Sequence, residues 1–201
     1  MAINTAISPA APASTSPAAR GVPIYHFTST AHLPWIIESG ELRAGRNKIG
    51  GFPDPDFLWA TSNRYGDRTA TAMASPAYRD GKTWAVRLTL DPVGFAHWSI
   101  IPGLFAQWTG DQVERLERLA AGKSDPRDWW CAPGPMPLSC VTVMETRSYR
   151  DSSWKRIEPE VTTIWQGGTK WLGVQIGDRQ FFSAKCIGPH GQDAYEMGRV
   201  L

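Results

Sequence analysis

Residues 22–42 read VPIYHFTSTAHLPWIIESGEL, and the fold follows from how this stretch divides. Its first part, 22–27, is a short apolar strand with His26 in the middle. Thr28, Ser29 and Thr30 then offer hydroxyls that can cap a helix. Leu33, Trp35, Ile36 and Ile37 follow at the spacing of a buried helical face. Gly40 stands where a left-handed C-cap is expected. A strand carrying His26 therefore runs straight into a helix. The unpaired N–H groups of that helix point back toward the histidine, an end suited to a phosphate or another anion.

Outward from this element the chain reads as one α+β domain of 201 residues. Residues 1–20 are almost all Ala, Ser, Thr and Pro and predict a disordered leader. Residues 43–56, with Arg43, Arg46, Lys48, glycines and prolines, predict a long surface loop of the kind that often carries function. FLWAT at 57–61 reads as a buried strand, and 62–75 as a helix begun by Ser62 or Asn63 and stopped before Pro76. TWAVRLTL at 83–90 alternates as a half-buried strand. Thr109 and Gln112 form a capping box that opens a helix over 109–121, with Val113, Leu116 and Leu119 as its apolar stripe and Glu114–Arg118 as an i,i+4 pair. Residues 124–138 are a proline-rich connector, and 139–147 a strand. Beyond 158 the pattern is a β-rich extension packed on the same domain, with strands at 161–165, 171–176 and 179–187.

Charge is nearly balanced, 21 basic against 19 acidic residues, which argues against a histone-like, charge-driven binder of nucleic acid. Cys131, Cys140 and Cys186 are odd in number and lack C-x-x-C spacing, so neither a disulfide scaffold nor a structural zinc site is expected. No apolar run is long enough to span a membrane. These features together predict a soluble cytoplasmic protein with no metal. The standard phosphate-binding glycine motifs are absent. Ten tryptophans predict core and cleft walls rather than a polar surface.

Two segments taken in order, Tyr25-His26-Phe27-Thr28 and Leu58-Trp59-Ala60-Thr61-Ser62, carry a resemblance. Between them lies HLPWIIESGEL at 32–42, similar to an "L-x-x-I-x-x-x-G-x-L" helix. This order resembles the ADP-ribosyltransferase fold, closest in flavour to its small bacterial branches: DarT-like DNA-modifying toxins, rifampin-modifying enzymes and related toxin domains with a "YHxT" start. The resemblance spans residues 22–147, so the domain is expected over 21–157 with the extension over 158–201. It implies a split, mostly antiparallel sheet with flanking helices.

The resemblance also implies roles. His26 would hold a ribose hydroxyl of NAD and Thr28 would support the nicotinamide amide. Trp59, where the family more often has tyrosine, would stack on nicotinamide. Thr61 and Ser62 would support the site from the strand end. Arg43 and Arg46, with Lys48, would neutralise the pyrophosphate. The catalytic carboxylate would be Asp128, which precedes the proline-rich WWCAPGPMP run, or Glu145 in the next strand; Glu158 and Glu160 are remoter choices. The usual "E-x-E" or "Q-x-E" pair is missing near Asp128. The implied activity is NAD-dependent mono-ADP-ribosyl transfer to a nucleic-acid, protein or small-molecule acceptor, with NAD as substrate. A toxin role comes with the family and leaves open a neutralising partner protein. Two alternatives stay open: NAD hydrolysis if water is the acceptor, and a non-catalytic nucleotide- or partner-binding module.

Overall fold

The computed structural model describes residues 21–44, 52–53, 57–66, 73–187 and 193–198. The leader expected over 1–20, and Arg46 and Lys48 of the basic loop, lie outside the described residues. The fold is α+β. Strands β1 (Ile24–Ser29), β3 (Leu58–Thr61), β4 (Ala85–Leu90), β5 (Ala96–His97), β6 (Trp129–Ala132), β8 (Val141–Arg147) and β9 (Lys155–Arg156) form a seven-stranded sheet in the order β5-β6-β3-β1-β4-β8-β9. Every pairing in it is antiparallel. A second sheet stacks β10 (Glu160–Gln166), β11 (Thr169–Ile176), β12 (Arg179–Ile187) and β13 (Asp193–Gly198) in chain order. Strands β2 (Glu41–Leu42) and β7 (Met136–Pro137) make a small clip between distant parts of the chain.

The seven-stranded sheet is split. β1 pairs with β4 along its whole length, from Ile24–Leu90 to Ser29–Ala85. It meets β3 at a single pair, Tyr25 with Thr61. Beyond that pair a side chain takes over from the backbone ladder: His26 Nδ1 donates to the Trp59 carbonyl at 2.8 Å. The two halves are thus hinged at the organising strand.

Each face of the sheet has its own core. Ile24, Leu58, Val86, Leu88 and Leu90 pack with Leu33 of helix α1 (Leu33–Ser39) and with Val174, Ile176 and Phe181 of the second sheet. On the other face an aromatic cluster of Phe57, Trp98, Trp108 and Trp129 packs with Ile101 of helix α3 (Ile101–Leu104) and with Val113 and Leu116 of helix α4 (Gly110–Ala120). The tryptophans supply that second core, since each indole removes a large apolar area from water. Among the C-terminal aromatics Phe181 is buried, whereas Trp165 is 69% exposed.

Several local expectations change. The hydroxyls of 28–30 do not cap α1; the N-cap is His32 and its side chain makes no cap bond. Thr30 Oγ1 instead accepts from the Trp84 N–H at 3.1 Å. Pro34 brings no N–H, and the Trp35 and Ile36 N–H groups return to the His32 carbonyl. A seven-residue helix so occupied offers no anion site. Gly40 does adopt φ +71° and closes the helix on Ile36 and Ile37.

The expected helix at 62–75 does not begin where it should: residues 62–66 form a turn, in which the Tyr65 N–H donates to Asn63 Oδ1 at 3.0 Å. Pro76 starts a helix, α2 (Pro76–Arg79), because its fixed φ suits the first helical position under a Ser75 cap. β4 is buried on both faces rather than one, Arg87 included. The connector at 124–138 contains β6, whose Trp129 and Cys131 are core residues. Helix α4 keeps its capping box, with the Thr109 N–H donating to Gln112 Oε1 at 3.0 Å, while Leu119 of the expected stripe is 53% exposed.

No helix among the described residues is long and apolar enough to cross a membrane.

Candidate active site

The structure gathers three of the residues singled out above at one end of the split sheet. Thr61, Ser62 and Asp128 meet where β3 ends and β6 begins. Ser62 Oγ donates to Asp128 Oδ1 at 2.7 Å, and the Ser62 N–H donates to the Asp128 carbonyl at 2.8 Å. Thr61 is buried, pairs with Trp129, and accepts the Asn63 N–H at 3.1 Å.

Asp128 ends a tight 3-10 turn, Pro126–Asp128, that is fastened from two sides. Asp125 caps it through the Arg127 N–H and forms an ion pair with the Arg127 side chain, which lowers the Asp125 pKa to about 2. His97 Nε2 donates to the Arg127 carbonyl at 2.8 Å, and its Nδ1 takes the Ser99 hydroxyl at 2.8 Å. The carboxylate therefore sits on a turn pinned by side chains on two other segments.

His26 and Thr28 lie on the opposite side of the split. Because His26 Nδ1 gives its proton to the Trp59 carbonyl, Nε2 is left as an acceptor. Burial lowers the pKa of His26, partly opposed by this hydrogen bond, and so favours the neutral ring. Thr28 is buried, with Oγ1 3.3 Å from His32 Nδ1; Ser29 Oγ is equally close. Burial and the neighbouring His26 push His32 down to about 4. Tyr195 of β13 meets the His32 ring edge-on at 4.4 Å.

Trp59 is not placed to share a ligand with His26. Thr61 and Tyr25 are paired, so Trp59 shares the sheet face of Phe27, and His26 the other. The Trp59 ring packs against Phe57, Trp98 and Trp129 at 5.5–5.8 Å. Arg43 is exposed and pairs with Glu41.

Glu145 lies two strands away from His26, on the face of Phe27. Its Oε2 accepts from Arg87 Nε at 2.8 Å and Nη2 at 2.6 Å. Arg87, with a side chain 8% exposed, also donates to the Arg64 carbonyl. The structure thus separates the two candidate carboxylates: Asp128 at a strand junction on a hydroxyl, Glu145 in a nearly buried ion pair. Glu158 and Glu160 are exposed.

A cleft of about 930 Å³ opens beside the Ser62–Asp128 junction. Asn63, Gly66, Met73, Lys123, Ser124 and Asp125 line it. Ser124 Oγ is buried there with no hydrogen-bond partner. The exposed Tyr65 ring lies between the lining residues Asn63 and Gly66 in sequence. Sequence reasoning missed Ser124, Arg87 and His97. Arg87 alone carried a signal, a charge in the middle of an apolar strand. Among the described residues no group of three or more His, Cys, Asp or Glu is arranged to hold a metal. Cys131, Cys140 and Cys186 form no disulfide among the described residues, and burial raises the Cys140 thiol pKa.

No family model matches the chain, and no curated protein or solved structure matches it.

Proposed function

We propose that the chain is an NAD-dependent mono-ADP-ribosyltransferase whose carboxylate is Asp128. The observation that carries the proposal is the Ser62–Asp128 hydrogen bond, 2.7 Å, beside an open cleft. It joins two segments 66 residues apart that were singled out for one reaction. In that reaction the bond between nicotinamide and ribose C1′ breaks, its electron pair leaves with nicotinamide, and the acceptor's lone pair forms the new bond to C1′. Positive charge develops on the ribose, and a fixed carboxylate near it lowers the barrier. Ser62 holds one carboxylate oxygen in place and leaves the other available. His26, neutral and bonded to the Trp59 carbonyl, fastens β1 to β3 from the sheet face opposite Phe27, and so supports the site rather than touching the ribose. Trp59 is engaged by other aromatics, so the stacking role falls to Tyr65, 68% exposed between the cleft-lining residues Asn63 and Gly66, with the Arg64 guanidinium over its ring at 5.1 Å.

One observation favours a second reading, a non-catalytic binding module on the same fold. Both candidate carboxylates already have partners, Ser62 for Asp128 and Arg87 for Glu145. The test is nicotinamide release from labelled NAD by wild type and His26→Ala, with single-stranded DNA, RNA and cell lysate offered in parallel. Release that depends on His26 supports the transferase, and the pool that takes up label names the acceptor class; label left as free ADP-ribose makes water the acceptor. NAD bound without release in any pool supports the binding module.

A further inference from the structure

Behind the cleft lies a group of hydrogen-bond donors without acceptors. The Trp154 indole lies against two guanidinium groups, Arg87 at 4.6 Å and Arg147 at 5.0 Å from its ring centre. Phe27 lies 5.8 Å from the same ring. The register explains the convergence. Arg87 pairs with Glu145 across β4 and β8, Arg147 is two residues further along β8, and Phe27 is opposite Arg87 on β1, so all four share one face.

Glu145 occupies Arg87. Among the described residues Arg147 has no such partner: Nη2 reaches the Met73 sulfur at 3.1 Å, a weak acceptor, and Nε is buried with no partner. Trp154 Nε1 is likewise buried and unpartnered. A buried donor without an acceptor costs about 1–3 kcal/mol, and of the five buried polar side-chain atoms without a partner among the described residues two fall together here.

Met73 is the wall between these donors and the cleft. It lines the cleft, its sulfur touches Arg147, and its methyl lies against Gly66, where an added Cβ would come within 2.5 Å of it. Methionine is unbranched and adapts its shape readily, so it can move aside without disturbing the sheet.

We infer that Arg147 and Trp154 form an anion subsite at the back of the cleft, with Met73 as its movable plug, and that it takes a phosphate-bearing ligand. Two buried donors, Arg147 Nε and Trp154 Nε1, lack acceptors among the described residues, and a guanidinium fork matches phosphate geometry. Resting on the transferase proposal, the ligand is the pyrophosphate of NAD. The basic loop from Arg43 onward is then not required for that contact.

The probe is inorganic pyrophosphate, titrated calorimetrically into the full-length protein. Wild type binds it, and Arg147→Gln weakens binding by about tenfold or more. Trp154→Phe keeps an aromatic ring but removes the N–H, and weakens binding severalfold; it decides the matter if Arg147→Gln fails to fold. Met73→Ala binds more tightly than wild type. No binding by wild type, or equal affinity in a folded Arg147→Gln or Trp154→Phe protein, overturns the subsite. Nicotinamide release, measured separately, keeps the two proposals apart. Arg147-dependent pyrophosphate binding without release from NAD upholds the subsite and counts against the transferase. Release with pyrophosphate affinity unchanged by Arg147→Gln upholds the transferase and overturns the subsite.

Discussion

Ser62 and Asp128 are bonded twice, Oγ to Oδ1 at 2.7 Å and N–H to carbonyl at 2.8 Å, so the end of β3 and the start of β6 move as one unit. The backbone bond survives substitution of the serine, whereas the side-chain bond does not. Ser62→Ala should therefore leave the fold intact and free the carboxylate to rotate. We expect nicotinamide release to fall by roughly 10- to 100-fold in kcat with little change in KM, as for a group that positions a catalytic charge. Steady-state kinetics on Ser62→Ala and Ser62→Thr check this, with threonine restoring most of the loss.

Glu145 and Asp128 should separate cleanly in mutants. Glu145→Gln leaves the Arg87 charge, nearly buried, without its counter-ion. Discounted for the partial exposure of Glu145, the loss is about 2 kcal/mol of stability, seen as a lower urea midpoint. The folded fraction keeps its turnover. A Glu145→Gln protein that is fully stable but inactive would transfer the catalytic role from Asp128 to Glu145.

Protonation of His32 opposes folding. Its folded pKa of about 4 lies below the unfolded value of 6.5, so the unfolded chain binds more protons between these values. The stabilisation is complete above pH 6.5 and is lost as pH falls toward 4, and the lowered pKa of His26 acts in the same direction. The loss amounts to roughly 2–3 kcal/mol for His32 alone. Melting temperatures from pH 7 to pH 4 should show a steep fall that flattens in His32→Gln.

Gly173 is a packing glycine. A Cβ there would come within 2.4 Å of the Phe182 ring, which lies over it from the paired position on β12. Gly173→Ala should destabilise by about 1–3 kcal/mol. Combining it with Phe182→Leu should recover part of that loss, a coupling that a double-mutant cycle in urea measures directly.

The parts of the fold legible in sequence were those governed by local rules. Gly40 closes α1 in the left-handed region, the capping box opens α4, and period-two alternation marks β10, β11 and β12. What local rules misjudged was settled by partners far along the chain. Residues 124–138, rich in proline and tryptophan, look like a connector until β3 supplies the ladder for Trp129–Ala132. Arg87 looks like the solvent side of a strand until Glu145, Trp154 and the Arg64 carbonyl cover it. At the site, Ser62 and Asp128 could each be picked from motif order, but their pairing depends on β3 and β6 being neighbours, which no spacing reveals. Trp59 was picked from motif order, which does not reveal that its face of the sheet is shared with Phe57, Trp98 and Trp129.

The most direct measurement is the rate of nicotinamide release from NAD by wild type and Asp128→Asn, two proteins differing by one charge at the β3–β6 junction. Wild type should release nicotinamide, and Asp128→Asn should release it at least about 100-fold more slowly, with NAD affinity retained. Equal rates in the two proteins, or NAD bound by both with no release from either, would contradict catalysis by Asp128.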